Sequence, residues 1–150
     1  MDIKSKAKRS ENMSRIRSRN TKPELFLRSL LHRNGFRYRV HYPLLSGKPD
    51  LYFTRKKVAI FVHGCFWHRH KSCKYAYTPK SNVQFWTEKF NKNLLRDSVV
   101  REQLKTENIR VLVVWECTVR KMMKDEILEQ NVLVEIKNFL ELSLEFYLEL

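Results

Sequence analysis

The run IRVLVVW, residues 109–115, constrains the fold more tightly than any other stretch. Six of its seven side chains are apolar. A strand with one wet face would alternate polar and apolar positions, whereas a nearly continuous run belongs to a strand covered on both faces. The chain is therefore expected to build a sheet with helices packed on it.

The remaining sequence supplies the other elements. TKPELFLRSLLHRNG reads as a helix with both ends marked: Thr21 and Glu24 have capping-box spacing, and Gly35 supplies a left-handed C-terminal position. Its apolar face is Leu27, Leu30 and Leu31, with Leu25 and Phe26 near the start. From Phe36 the period changes to two, as Phe36, Tyr38, Val40 and Tyr42 alternate with Arg37, Arg39 and His41, which predicts a half-buried strand. After SGKP, the runs DLYFT and KVAIFV flank the basic turn RKK and predict a hairpin. Residues 82–107 read as a long helix begun by Ser81 or Asn82, with Phe85, Phe90, Leu94 and Leu104 among its apolar positions. The tail from Lys121 to Leu150 reads as one or two amphipathic helices. The expected order is arm, helix, three strands, helix, strand, helix, a mixed α/β sheet. A chain of 150 residues suits one core, so residues 21–150 are expected to form a single domain behind an N-terminal arm, residues 1–20.

Charge narrows the partner. Lys and Arg number 30 against 16 Asp and Glu, a formal net charge of +14, which favours a polyanion, nucleic acid first. A soluble protein with solvated charges is the plainer alternative. Residues 2–20 are basic and almost devoid of apolar side chains, and are expected to be loose alone and ordered on a polyanion. No segment approaches the roughly 18 consecutive apolar residues of a membrane span, and MDIKSKAKRSENMSR has no signal-like apolar stretch, so a cytosolic location is expected. Three cysteines, an odd number, argue against a disulfide framework and leave metal binding or burial.

Ligand-type side chains concentrate in FVHGCFWHRHKSC, residues 61–73. Cys65, His70 and Cys73 fall within nine residues, and Cys117 follows the apolar strand directly. Together they make a Cys3His set, a closed tetrahedral complement for structural zinc that uses every cysteine. The alternative for Cys117 is plain burial, where free cysteines usually sit. A zinc there would aim Phe66 and Trp67, which are expected to be exposed and to meet a partner; core burial is the alternative.

Asp50 opens the first strand of the hairpin and His63 ends the second, so antiparallel pairing should make them neighbours. A carboxylate with backbone or water oxygens suits Mg2+, and a nearby imidazole can accept a proton from a bound water. That is a layout for phosphodiester hydrolysis. The competing readings are a turn residue after Pro49 and a solvent-facing strand end.

At these residues the chain resembles a known family. GKPDLYF, AIFVHGCFWHRH, FWTEKFNKNLLRD and VLVVWEC are similar to segments of the very short patch repair (Vsr) DNA mismatch endonucleases, from about Arg9 to about Arg120. That family has a restriction-endonuclease-like fold of the PD-(D/E)xK superfamily, a mixed sheet flanked by helices. Pro49-Asp50 stands as the PD here, and Phe61-Val62-His63 falls where E-x-K would be.

The resemblance implies a Mg2+-dependent endonuclease that nicks 5′ of the T in a T:G mismatch left by deamination of 5-methylcytosine. Asp50 would bind Mg2+, with the backbone carbonyl of Val62 as a second ligand. His63 and His68 match the catalytic histidines, His68 as general base and Asp97 supporting it, and Glu24 matches an active-site glutamate. Cys65, His70, Cys73 and Cys117 match the zinc set. Phe66, Trp67 and Trp86 match aromatics that wedge into the duplex, where unstacking is easiest at an imperfect pair. Lys89 is expected at the DNA beside them, and Arg9, Arg15, Arg17 and Arg19 of the arm on its phosphates. The implied partners are double-stranded DNA with a T:G mismatch and other mismatch-repair proteins, for a monomer in the bacterial cytoplasm. Two competing readings are a restriction-type nuclease of the same fold that cuts intact duplex, and a zinc-stabilised DNA-binding module without chemistry.

Overall fold

The computed structural model describes residues 5–14 and 19–150. Helix α1 (Lys6–Ser14) lies in the basic arm, while Arg15, Arg17 and the side chain of Arg9 lie outside the described residues. Helix α2 (Lys22–Arg33) starts and stops where the sequence marks it. The Thr21 hydroxyl accepts the Glu24 amide at 3.4 Å, covering a donor that the first turn leaves open. At the other end the Gly35 amide donates to the His32 carbonyl and the Phe36 amide to Leu31, with Gly35 at φ +88°. This paired closure needs a left-handed residue, which glycine adopts without a Cβ penalty.

The strand expected over residues 36–42 shortens to β1 (Arg39–Val40). His41 sits at φ +47°, which breaks the alternation and leaves Val40 45% exposed instead of facing the core with Phe36. The hairpin forms as expected from β2 (Leu51–Phe53) and β3 (Val58–His63), with Leu51 opposite Ile60. Helix α3 (Val83–Thr106) then crosses to β4 (Arg110–Trp115), which lies parallel to β3. Asn82, rather than Ser81, is the residue before its first turn.

Helices α4 (Glu116–Met122) and α5 (Glu126–Glu141) follow. The tail is not purely helical: it ends in a short strand, β5 (Tyr147–Glu149), parallel to β4 and tied to it by the Leu150 amide on the Val113 carbonyl at 2.9 Å. The result is a five-stranded mixed sheet in the order β1-β2-β3-β4-β5, flanked by helices.

The alternation along β4 explains why IRVLVVW is apolar throughout. Leu112 and Val114 join Leu51, Phe53 and Ile60 in a core closed by α2, α4 and α5. Val111, Val113 and Trp115 face the other way and pack with Tyr52, Phe61, Leu104, Cys65 and Cys117. Both faces are buried, as the sequence requires, but the second is covered mainly by α3, and that helix covers it thinly.

Candidate active site and cysteine tetrad

Of the 24 residues of α3, only Phe90 and Leu104 are buried. Phe85 and Leu94, read from the sequence as apolar-face residues, are 57% and 45% exposed. Helix and sheet therefore enclose an open groove of about 840 Å3, lined by Asp50, Val62, His63, His68 and Asp97, with Arg19, Lys48 and Arg69 among its cations.

Asp50 immediately precedes β2, across the hairpin from the end of β3. Its Oδ2 accepts the Val62 amide at 2.7 Å, so the carboxylate is fastened to the neighbouring strand. Burial pushes its pKa up to about 6; the Val62 hydrogen bond pulls it back, Glu24 adds to the rise, and His41 and Arg28 oppose it.

His63, the last residue of β3, stacks on His68 with ring centroids 3.8 Å apart and planes at 6°. Burial lowers the His63 pKa to about 3, helped by the neighbouring His68 and opposed by Asp97, so this ring is neutral at physiological pH. His68 is different: its Nδ1 lies 2.7 Å from Asp97 Oδ2 on α3, and both side chains keep more than a quarter of their surface in solvent. The pairing fixes the ring and leaves Nε2 as its second proton site.

Glu24 is buried, at 2% exposure. Its carboxylate accepts the Asn20 amide at 3.0 Å, rather than the Thr21 amide that a complete capping box would use. It also meets Arg28 and, at 2.6 Å, His41 Nε2. Donor atoms of Glu24, His41 and Asp50 lie within 4.8 Å of one another, so this network sits beside Asp50. Arg28 and His41 were not legible as site residues. The signal was present as an Arg four residues after Glu24 on the same helix, but His41 reads as the solvent face of a strand until its left-handed φ turns it.

The structure brings Cys65, His70, Cys73 and Cys117 together, with ligand atoms all within 4.8 Å. Of the loop histidines it is His70 that joins the thiols, its Nδ1 3.4 Å from Cys117 Sγ, while His68 turns to Asp97. Sulfurs held at about 2.3 Å by a tetrahedral zinc stand about 3.8 Å apart, so three thiols and an imidazole at this spacing fit that ion. Burial pushes the Cys65 thiol up to about 12, and burial lowers the His70 pKa against the field of Glu149.

Phe66, Trp67 and Trp86 meet in one aromatic cluster. Phe66 packs edge-on against Trp67 at 5.0 Å and against Trp86 and Phe90 at 5.5 and 5.2 Å. All three are half-buried rather than projecting freely, because α3 supplies a floor of rings beneath the loop. The Lys89 ammonium lies 5.4 Å from the Trp67 ring.

Fold and site together describe a class: a mixed α/β protein with a carboxylate and histidines facing a cation-edged groove, next to a Cys3His tetrad. Residues 1–75, half of the chain, match the sequence profile of the family described as DNA mismatch endonuclease Vsr. Relatives include the type II nicking enzyme V.NmeAIP of Neisseria meningitidis, 44% identical over 79% of this chain and 84% of that protein. The type II nicking enzyme V.XorIIP of Xanthomonas oryzae is 41% identical over 81% and 88%. The DNA mismatch endonuclease Vsr of Escherichia coli is 40% identical over 87% of this chain and 85% of its own length. The chain belongs to the Vsr family. Among the described residues no helix is long and apolar enough to cross a membrane.

Proposed function

We propose that this protein is a Mg2+-dependent endonuclease that nicks one strand of duplex DNA 5′ of the T in a T:G mismatch, the reading that family membership supports. The observation that carries it is the convergence of the Asp50 carboxylate, the Val62 backbone and the His68–Asp97 pair in one groove. A half-buried carboxylate whose charge is disfavoured by desolvation suits a hard divalent cation. Asp50 and the Val62 carbonyl would hold Mg2+, which when bound neutralises phosphate charge and acidifies a water.

The protein's own groups do the rest. His68 takes the water's proton at Nε2, since Nδ1 is engaged by Asp97, and the Asp97 charge stabilises the imidazolium that forms. His63 stays neutral and supports the His68 ring by stacking. Glu24, held by the Asn20 amide, Arg28 and His41, orients water beside Asp50. The tetrad of Cys65, His70, Cys73 and Cys117 would hold a structural zinc, since four protein ligands leave no open position.

Phe66, Trp67 and Trp86 form the wedge that enters the duplex at the mispair, flanked by Lys89, with Arg9, Arg15, Arg17 and Arg19 on phosphates. In this reading residues 21–150 are one restriction-endonuclease-like domain with Pro49-Asp50 as the PD, residues 1–20 clamp the DNA, and the enzyme works as a cytoplasmic monomer alongside other mismatch-repair proteins. The test is His68→Ala under single-turnover conditions on a T:G duplex. Nicking should fall by about 10²- to 10⁴-fold with DNA affinity retained; an unchanged rate would refute the assignment of the base.

A further inference from the structure

Trp115 ends β4 with only 6% of its surface exposed, and its indole is bracketed by two histidines that belong to different centres. On one face lies His70 of the cysteine tetrad, parallel at 4.2 Å with planes 8° apart. Against its edge stands His63, 5.4 Å away at 69°. His63 is also the strand partner of Trp115 in the β3/β4 register, and it stacks in turn on His68. Four rings thus run in contact from the tetrad to the His68–Asp97 pair: His70, Trp115, His63 and His68.

The indole is also tied at its polar end. Trp115 Nε1 donates to Glu149 Oε2 at 3.4 Å, the Tyr147 hydroxyl donates to the other oxygen of Glu149, and the Trp115 amide donates to the Leu150 carbonyl at 2.9 Å. Space filling alone would be met by any large apolar side chain. A hydrogen-bonded carboxylate on the last strand, aimed at the indole nitrogen, fixes the rotation of the ring as well as its position. A reacting group misplaced by about 1 Å loses about 10²-fold in rate, and packed rings at van der Waals separation leave little room for such drift.

We propose that Trp115 is a positioning residue that couples the Cys3His tetrad to the catalytic histidines, and that Glu149 of the C-terminal strand holds its indole in register. The catalytic half of this inference rests on the nuclease reading above; the coupling to the tetrad does not. It gives β5 a role: the strand is the outer support of the active site.

The experiment compares Trp115→Leu, Trp115→Phe, Glu149→Ala and Glu149→Gln in the full-length, zinc-loaded chain. Two readouts are taken: zinc release to excess chelator, followed with a metallochromic dye, and single-turnover nicking at saturating T:G duplex beside the Kd for that duplex. Trp115→Leu and Glu149→Ala should nick about tenfold or more slowly, the loss typical of a support behind a metal ligand, release zinc severalfold faster, and keep Kd within about twofold. Glu149→Gln, which keeps an acceptor for Nε1, should stay close to the parent in both readouts, whereas Trp115→Phe, which keeps a ring between the imidazoles but has no N–H for Glu149, should shift both readouts in the same direction as Glu149→Ala. Wild-type values for Glu149→Ala and Trp115→Leu, or a change in only one readout, would overturn the coupling. Should Trp115→Leu fail to fold, Glu149→Ala decides, since it leaves the indole in place. If the parent nicks no duplex, the nuclease reading falls, and zinc release alone decides whether Trp115 braces the tetrad.

Discussion

Replacing Asp50 with Asn should abolish nicking and, in magnesium-free buffer, make the protein more stable. The carboxylate is forced up to about 6 chiefly because burial disfavours its charge. At about 1.4 kcal/mol per pH unit, the distance from the ordinary 3.8 corresponds to about 3 kcal/mol by which the ionised group opposes folding. The sign follows from a folded pKa above the unfolded one: the protonated carboxyl carries no penalty below about pH 4, the penalty grows between about pH 4 and 6, and it is complete above that. Asn keeps an oxygen for the Val62 amide, now 2.7 Å from Oδ2, and carries no charge. Parent and variant should therefore melt together near pH 4 and separate as pH rises. At pH 8 the variant should melt about 6–12 °C higher, for a chain in which 1 kcal/mol moves Tm by about 2–4 °C. Circular-dichroism melts across that range measure it. A variant no more stable than the parent at pH 8, or an offset independent of pH, would refute the reasoning. Added Mg2+ should raise the parent's Tm and leave the variant's unmoved.

Other consequences concern separate parts of the molecule. Arg110 donates to the carbonyls of Phe139, Leu140 and Ser143 at the end of α5 and lies over the Phe139 ring, so Arg110→Ala should lower stability by about 2–4 kcal/mol, measured by urea unfolding. Cys117→Ser should reduce bound zinc from about one equivalent to well below it by metal analysis, because a closed tetrahedral site loses one of its four ligands; full occupancy would mean that Cys117 is merely buried. Trp67→Ala should narrow the ratio of nicking rates between T:G and T:A duplexes while the basic groove still binds both; an unchanged ratio would remove the wedge. The tetrad is also a structural tie, so stripping it with a strong chelator should lower Tm.

Much of this architecture can be read from residue pattern, and the failures have identifiable causes. IRVLVVW announced a strand buried on both faces, and Thr21 and Gly35 announced the ends of α2, because each signal is local and has one physical solution. The hairpin follows from two apolar runs and a short turn, but the expectation that Asp50 and His63 are neighbours holds only in that both line the groove: with Leu51 opposite Ile60, Asp50 groups with Glu24 and His41, and His63 with His68 and Asp97. The strand β5 is hard to read in the sequence although residues 144–150 alternate Leu144, Phe146, Leu148 and Leu150 with Glu145, Tyr147 and Glu149; the run is short and follows directly on a helical pattern. His41 reads as solvent-facing because strand alternation cannot foresee a left-handed residue at φ +47°. The exposed apolar side chains of α3 were misplaced for a different reason: Leu94 has the right spacing for burial, but the groove beneath it is left open. Open grooves are where local consistency yields to function.

The most direct measurement of the central claim is a denaturing-gel nicking assay on T:G and matched T:A duplexes with each strand labelled in turn, in Mg2+ and in its absence. The expected result is a single cut on the T strand, 5′ of the mispaired T, in the mismatched duplex only and with Mg2+ only. Equal cutting of the matched duplex would make this a nuclease of intact DNA, and binding without cutting in any context would contradict the catalytic role given to Asp50, His68 and Asp97.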